Sequence, residues 1–246
     1  MKRDNPMPTR MWLGIATLGA VAVLAYTFVA GKKPLAQAGE LDPNLGVEDE
    51  KALSELVLRE QKNHPATPEM KEAANSLEGK PAPAFDLLGI KGERHTQASL
   101  TTGKPLLIFF VEKECPCCLG AKYYVERIDE MYEGKMNTVA IINADKKVAE
   151  AWAHVTKANF DVLMDPAQKV IRAYGAERGV YTTLVGPGGK IEKAYAGYSL
   201  DMLKDLSSRI AKLANIPEPK FAMSKAPTTL TSGCTFPEPD PSTTNP

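Results

Sequence analysis

Charged residues are absent between Met11 and Gly31, where every side chain is apolar, small or hydroxyl-bearing. About 20 helical residues at roughly 1.5 Å rise span about 30 Å, the thickness of a bilayer's hydrocarbon core. The pattern predicts a membrane anchor over residues 11–31, behind a basic leader, residues 1–10, that sets Lys2, Arg3 and Arg10 against Asp4. A basic flank predicts a cytoplasmic N-terminus and a following domain outside the cytoplasm. A signal peptide cut at Ala36-Gln37-Ala38 is the alternative. The run exceeds the roughly 7–15 residues of a signal core, which favours the uncleaved anchor.

Further on, short apolar runs alternate with helical stripes. Residues 106–111 (Leu-Leu-Ile-Phe-Phe-Val) and 138–142 read as strands buried on both faces. Between them Leu119, Val125, Ile128, Met131 and Tyr132 line one helical stripe; in 146–157, Val148, Ala149, Trp152 and Val155 line another. Strand, helix, strand predicts a parallel pair with a crossover. A strand pair near residues 85–100, a short helix over 168–174 stopped by Gly175 and a hairpin of 181–185 with 190–195 complete the core. The last helix is capped by Ser199 and carries Leu203, Leu206, Ile210 and Leu213. The fold class is α/β, in one domain over residues 80–215.

The flanks read differently. Residues 32–79 are expected to be a helical tether, with weak helices over 47–63 and 68–77 and with His64, beside Pro65, in a solvated loop. Residues 216–246 form a tail rich in Pro, Thr and Ser. From Pro217 to Cys234 about 17 residues can reach more than about 50 Å, against a radius of gyration of about 14 Å for such a domain. With Leu230 and Phe236 to dock, the tail is expected to bring Cys234 to the other cysteines; a disordered tail is the equal alternative.

Composition narrows the function. The 246 residues carry 30 basic and 30 acidic side chains and no long basic run, which argues against nucleic acid as a partner. Hydrophobic residues make up 43%, enough for one solid core. Four cysteines, three of them clustered, are too few for a disulfide scaffold and suit redox chemistry.

That cluster, Cys115-Pro116-Cys117-Cys118, lies between a buried strand and a helix. Thiols at i and i+3 share a face of a helical turn and can close a short disulfide. The helix N-terminus favours thiolate over thiol, lowering a cysteine from about 8.5 toward roughly 3.5–7.5. Cys115 is therefore the expected nucleophile and Cys118 the resolving thiol, their disulfide taking the place of any cofactor. Cys117 and Cys234 are additional redox candidates. A zinc site needs further ligands, and Cys117, Cys234, His64, His95 and His154 include no second short-spaced pair, so no metal is expected. His95 and His154 read as surface residues, and Trp152 as packing.

Strand, CxxC and helix together resemble the thioredoxin superfamily. The resemblance covers residues 79–215 and points to the redoxin branch: membrane-tethered thiol-disulfide reductases and the alkyl hydroperoxide reductase C/thiol-specific antioxidant group. Gly79-Lys80-Pro81-Ala82-Pro83-Ala84-Phe85 is similar to the family's entry segment, and residues 179–191 to its late hairpin. The resemblance implies a thioredoxin-like three-layer sandwich. It also implies an extracytoplasmic thiol-disulfide oxidoreductase whose partners are protein thiols and disulfides of the cell envelope, an upstream electron donor or acceptor, and the bilayer through 11–31. Relatives place a cis-proline opposite the CxxC; here Tyr181, with Thr182, is expected to face it over a trans peptide, since a non-proline cis bond costs about 2.5–4 kcal/mol. Where relatives hold a buried carboxylate this chain has Phe109, with Glu112 and Glu114 nearby. One alternative is a thiol peroxidase, with Cys115 or Cys117 forming a sulfenic acid, although Glu112 stands where a threonine is usual. The other is a copper-binding assembly factor, which uses a wider CxxxC and a late histidine; here no histidine follows His154.

Overall fold

The apolar run at 106–111 is the central strand. In this computed structural model, which describes residues 55, 59, 62–220, 223 and 226–239, Leu106–Val111 (β3) is wholly buried. Asn137–Ile142 (β4) runs parallel to β3, and Asp161–Met164 (β5) parallel to β4. On the other side Thr182–Val185 (β6) is antiparallel to β3, and Ile191–Tyr195 (β7) to β6, giving the order β5-β4-β3-β6-β7. A strand paired on both edges and covered on both faces needs an apolar residue at every position, hence the lack of alternation in its sequence. Asp86–Leu88 (β1) and Arg94–Thr96 (β2) form a separate antiparallel pair.

Successive residues of β3 feed two cores. Leu107, Phe109 and Val111 pack beneath Pro116–Met131 (α3), Lys146–Thr156 (α4) and Leu200–Ala214 (α6). Leu106, Ile108 and Phe110 pack on the opposite face with Pro68–Asn75 (α1), Gln97–Leu100 (α2) and Lys169–Ala173 (α5). The result is a three-layer α/β sandwich with the cysteines at the end of the central strand. Lys122 of α3 donates to the carbonyls of Thr156 and Lys157 at the end of α4 and pairs with Glu126 at 2.6 Å, so a buried lysine ties the two helices.

The N-terminal flank differs from the sequence expectation, and the tail takes the folded-back course of its two alternatives. The expected anchor at 11–31 and most of the 47–63 helix lie outside the described residues; among those described, no helix is long and apolar enough to cross a membrane. The end of the expected tether is not a tether. Gly79 N–H donates to Ile191 O at 2.8 Å, Ile191 N–H to Lys80 O at 2.9 Å, and Ala66 and Ala74 are buried in the second core. The tail is likewise part of the domain. Thr231 and Tyr198 exchange backbone hydrogen bonds at 2.9 Å, Ala66 N–H donates to Leu230 O at 2.9 Å, and Ser232 N–H to His64 O at 2.7 Å. Phe236 and Leu230 pack in the second core, Met223 and Ala226 in the first. Proline-rich composition suggested chain without a partner, yet the backbone groups of both flanks satisfy each other and the domain.

Gly197 lets the tail come this close. A Cβ there would overlap the Thr231 carbonyl and lie 2.9 Å from Ser232 N. Gly197→Ala is therefore expected to lower stability by about 1–3 kcal/mol and to speed alkylation of Cys234. Thermal denaturation and timed alkylation with mass spectrometry check both; unchanged kinetics at Cys234 would show that the tail does not depend on this contact.

Candidate active site

Where β3 ends, the chain turns through Glu112, Lys113 and Glu114 into α3. Cys115 N–H donates to Glu112 O and Cys118 N–H to Cys115 O, both at 3.1 Å. Lys113 N–H donates to Asn143 Oδ1 at 2.8 Å, anchoring the turn to the end of β4. Cys115 is the N-cap of α3, its side chain makes no capping hydrogen bond, and Pro116 fills the first turn. Proline suits that position because its missing donor would be unpaired there anyway. The Cys115 sulfur thus sits at the positive end of a 16-residue helix.

The four cysteine sulfurs converge without a disulfide between them. Cys115 Sγ is held well below the ordinary thiol range by hydrogen bonds from the thiols of Cys117, Cys118 and Cys234, and also by the Cys234 backbone N–H at 3.1 Å. Cys118 moves the opposite way: it is completely buried, and its proton is engaged by Cys115. The Cys234 thiol is pushed up to about 12, chiefly because Cys115 holds its proton. The environment favours the charge on the Cys115 sulfur and the protons on Cys118 and Cys234.

Glu112 is the functional group that sequence reasoning left at the margin. Its carboxylate is 5% exposed, accepts from Glu114 N–H at 3.0 Å, and is raised to about 7, first by burial and then by the charge of Cys115. The usual carboxylate position holds Phe109, whose ring fills the core. Three residues on, past the strand end, Glu112 brings a carboxylate to the turn beside Cys115. An acidic residue directly after an apolar strand and three residues before the first cysteine was the available signal.

The loop facing the cysteines is not where the resemblance put it. Tyr181 packs in the second core, its ring 6.0 Å from that of Phe110, on the sheet face away from the cysteines. Val180 takes the near side, in the cysteines' own core, and strand alternation leaves Thr182 beneath it. Phe110 N–H donates to Tyr181 O, and Val180 N–H to Phe110 O, both at 2.9 Å, which fixes that alternation. All described peptide bonds are trans. Val180 has φ of 68°, a region that costs a β-branched residue about 1–3 kcal/mol. Gly179 comes closest: a Cβ there would stand 2.9 Å from Cys118 Sγ and 3.2 Å from Glu112 N, so only glycine fits.

The tail completes the site. Cys234 donates its N–H to Cys115 Sγ and accepts at its carbonyl from Gly179 N–H at 2.9 Å. Phe236 N–H donates to Glu177 O at 3.0 Å, and Arg178 pairs with Thr235 in an antiparallel bridge. The tail therefore lies as an added strand along residues 177–179. Under it Cys115 is only 3% exposed, where the sequence suggested a partly open thiol. His64 is corrected too. It is half-buried, with Nδ1 3.2 Å from Cys117 Sγ, and His64, Cys117 and Cys234 form a group with metal-ligand spacing. The absence of short-spaced pairs gave no hint of it, because the three come from separate segments. His95 lies with Glu93 and Asp161, away from the cysteines.

Residues 79–194 match the AhpC/TSA family model. Among curated proteins none matches the sequence. Of solved structures, a candidate protein disulfide isomerase from Bacteroides thetaiotaomicron aligns with TM-score 0.52 at 19% identity, over 56% of this chain and 90% of that one. A candidate thiol:disulfide interchange protein DsbE from Chlorobium tepidum aligns with 0.51 at 22%, over 56% and 97%. An uncharacterized conserved protein from Geobacillus kaustophilus aligns with 0.52 at 18%, over 65% and 90%. Identities this low speak for the fold alone. The strand order and the cysteines at the head of α3 give the domain a thioredoxin-like fold, and over residues 79–194 the chain is similar to the AhpC/TSA family.

Proposed function

We propose that the protein is an extracytoplasmic thiol-disulfide oxidoreductase, held to the membrane through residues 11–31 and working on protein thiols and disulfides of the cell envelope. The observation that carries this reading is the Cys118 thiol directed at a Cys115 sulfur poised as thiolate. In the reducing direction Cys115 S⁻ attacks one sulfur of a partner disulfide. A mixed disulfide forms, and the partner's other sulfur leaves as thiolate. Cys118, once deprotonated, attacks Cys115 Sγ, releasing the partner's second thiolate and leaving a Cys115–Cys118 disulfide. Two electrons pass to the partner, and an upstream dithiol of the same chemistry restores the pair. The oxidising direction is the reverse. For a partner to reach Cys115, the strand-like tail at 231–236 has to leave residues 177–179, whose backbone then pairs with the incoming chain.

Glu112 manages the proton. With a value near 7 it can take the Cys118 proton as that thiol becomes a nucleophile and pass it to the leaving sulfur. It also carries a stability cost with a defined sign. The folded value of about 7 lies above the ordinary 4.5, so folded protein binds more protons between the two. Stability from this group is full below about 4.5 and is lost as pH rises through 7.

Two experiments test these roles. Cys118→Ser with Cys234→Ser, in the full chain, is expected to hold a mixed disulfide on Cys115 with its partner, recoverable from envelope extracts by mass spectrometry. Adding Cys115→Ser should abolish the adduct; an adduct on Cys117 instead would overturn the nucleophile assignment. For Glu112→Gln the exchange rate is expected to fall about 100-fold, with loss of the inflection near pH 7. The same variant should gain denaturant stability over the parent at pH 8 and none at pH 4. Unaltered pH–rate curves would remove Glu112 from the mechanism.

A further inference from the structure

Beside the exchange pair, three donor atoms from separate segments meet. His64 Nδ1, Cys117 Sγ and Cys234 Sγ all lie within 4.8 Å of one another, and the first two are 3.2 Å apart. Each backbone is held. His64 O accepts from Ser232 N–H at 2.7 Å and from Ser232 Oγ–H at 3.2 Å. Cys117 lies in the first turn of α3, and Cys234 is fixed at both its N–H and its carbonyl. Cys117 is 1% exposed while His64 and Cys234 are half-buried, so the group is enclosed on the protein side and reachable from the other.

Two sulfurs and an imidazole are a soft donor set, unsuited to magnesium or calcium, which take oxygen. Donors bound to one ion at about 2.0–2.3 Å stand about 3.5–4 Å apart; the His64–Cys117 pair is already that close and the separations to Cys234, within 4.8 Å, differ from it by about 1 Å. A structural zinc ion wants four protein ligands. Cys115 Sγ is not among the donor atoms grouped within 4.8 Å of one another. A soft monovalent ion that is content with three donors fits what is there.

We propose that His64, Cys117 and Cys234 form a three-coordinate Cu(I) site beside the Cys115–Cys118 pair; the binding stands apart from the exchange reading, and only its effect on Cys115 rests on that reading. Binding displaces the thiol protons of Cys117 and Cys234 to solvent and leaves copper as Cu(I), with no electron transferred. Because Cys234 belongs to the tail and Cys117 to α3, the ion clamps the tail over Cys115. Copper loading and access to the nucleophile therefore oppose each other.

The site is tested apart from the exchange pair in full-chain Cys115→Ser/Cys118→Ser protein, reduced and anaerobic, titrated with Cu(I) against the chromophoric chelator bicinchoninate. One Cu(I) per chain is expected, with two sulfur and one nitrogen neighbours by X-ray absorption. Adding His64→Ala or Cys234→Ser should weaken binding by more than the roughly 10–100-fold that an outer-shell contact is worth. His64→Met, which returns a soft donor, should restore part of it and guards against a folding artefact. Affinity unchanged by His64→Ala and Cys234→Ser, absence of stoichiometric binding, or retention of Zn(II) while Cu(I) is lost to the chelator would each overturn the assignment.

Discussion

A single negative charge buried at the end of a strand is what the rest of this site answers to. A thiolate with almost no contact with water costs several kcal/mol unless protein donors replace the lost hydration. Cys115 receives them from every side: the thiols of Cys117 and Cys118 from its own helix, and a thiol and a backbone N–H from Cys234. The helix N-terminus adds its dipole. The Cys118 and Cys234 thiols share their protons with Cys115, so the lowering of one cysteine and the raising of the other two are one fact seen from different atoms.

That arrangement leaves no room for a second full charge, and Glu112 registers it. Buried in the same turn, its carboxylate rises to about 7 first through desolvation and then through Cys115. Near neutrality Glu112 is available in both protonation states, which suits exchange chemistry. The turn that holds Glu112 is rigid, tied through Lys113 and Asn143 to β4 and through Cys115 N–H to its own carbonyl.

Close approach on the facing side has its own backbone cost. Gly179 must lack a side chain to admit Cys118 Sγ, and Val180 holds a left-handed conformation that its branched side chain disfavours. Ladder bonds from Phe110 on β3 hold that loop in place. The tail then adds to the loop as a strand. Gly233 is needed there as well, since a Cβ on it would stand 2.5 Å from Gly179 O.

How much of this was legible in the sequence follows from which interactions are local. Unbroken apolar runs specified β3 and β4 as doubly covered strands, helical stripes specified α3, α4 and α6, and Cys115 and Cys118 at the head of α3 followed from spacing alone, because each depends on residues a turn or a strand apart. Tyr181 was misplaced because a shift of one residue along a strand reverses the face, and only the bonds to Phe110 fix that register. Chain length allowed the return of Cys234, but only its pairing with residues 177–179 and with Cys115 decided it. His64 looked like a loop histidine next to a proline. Its approach to Cys117 and Cys234 depends on backbone bonds between the tail and residues 64–66, segments far apart in the chain, and no local pattern records a contact of that kind.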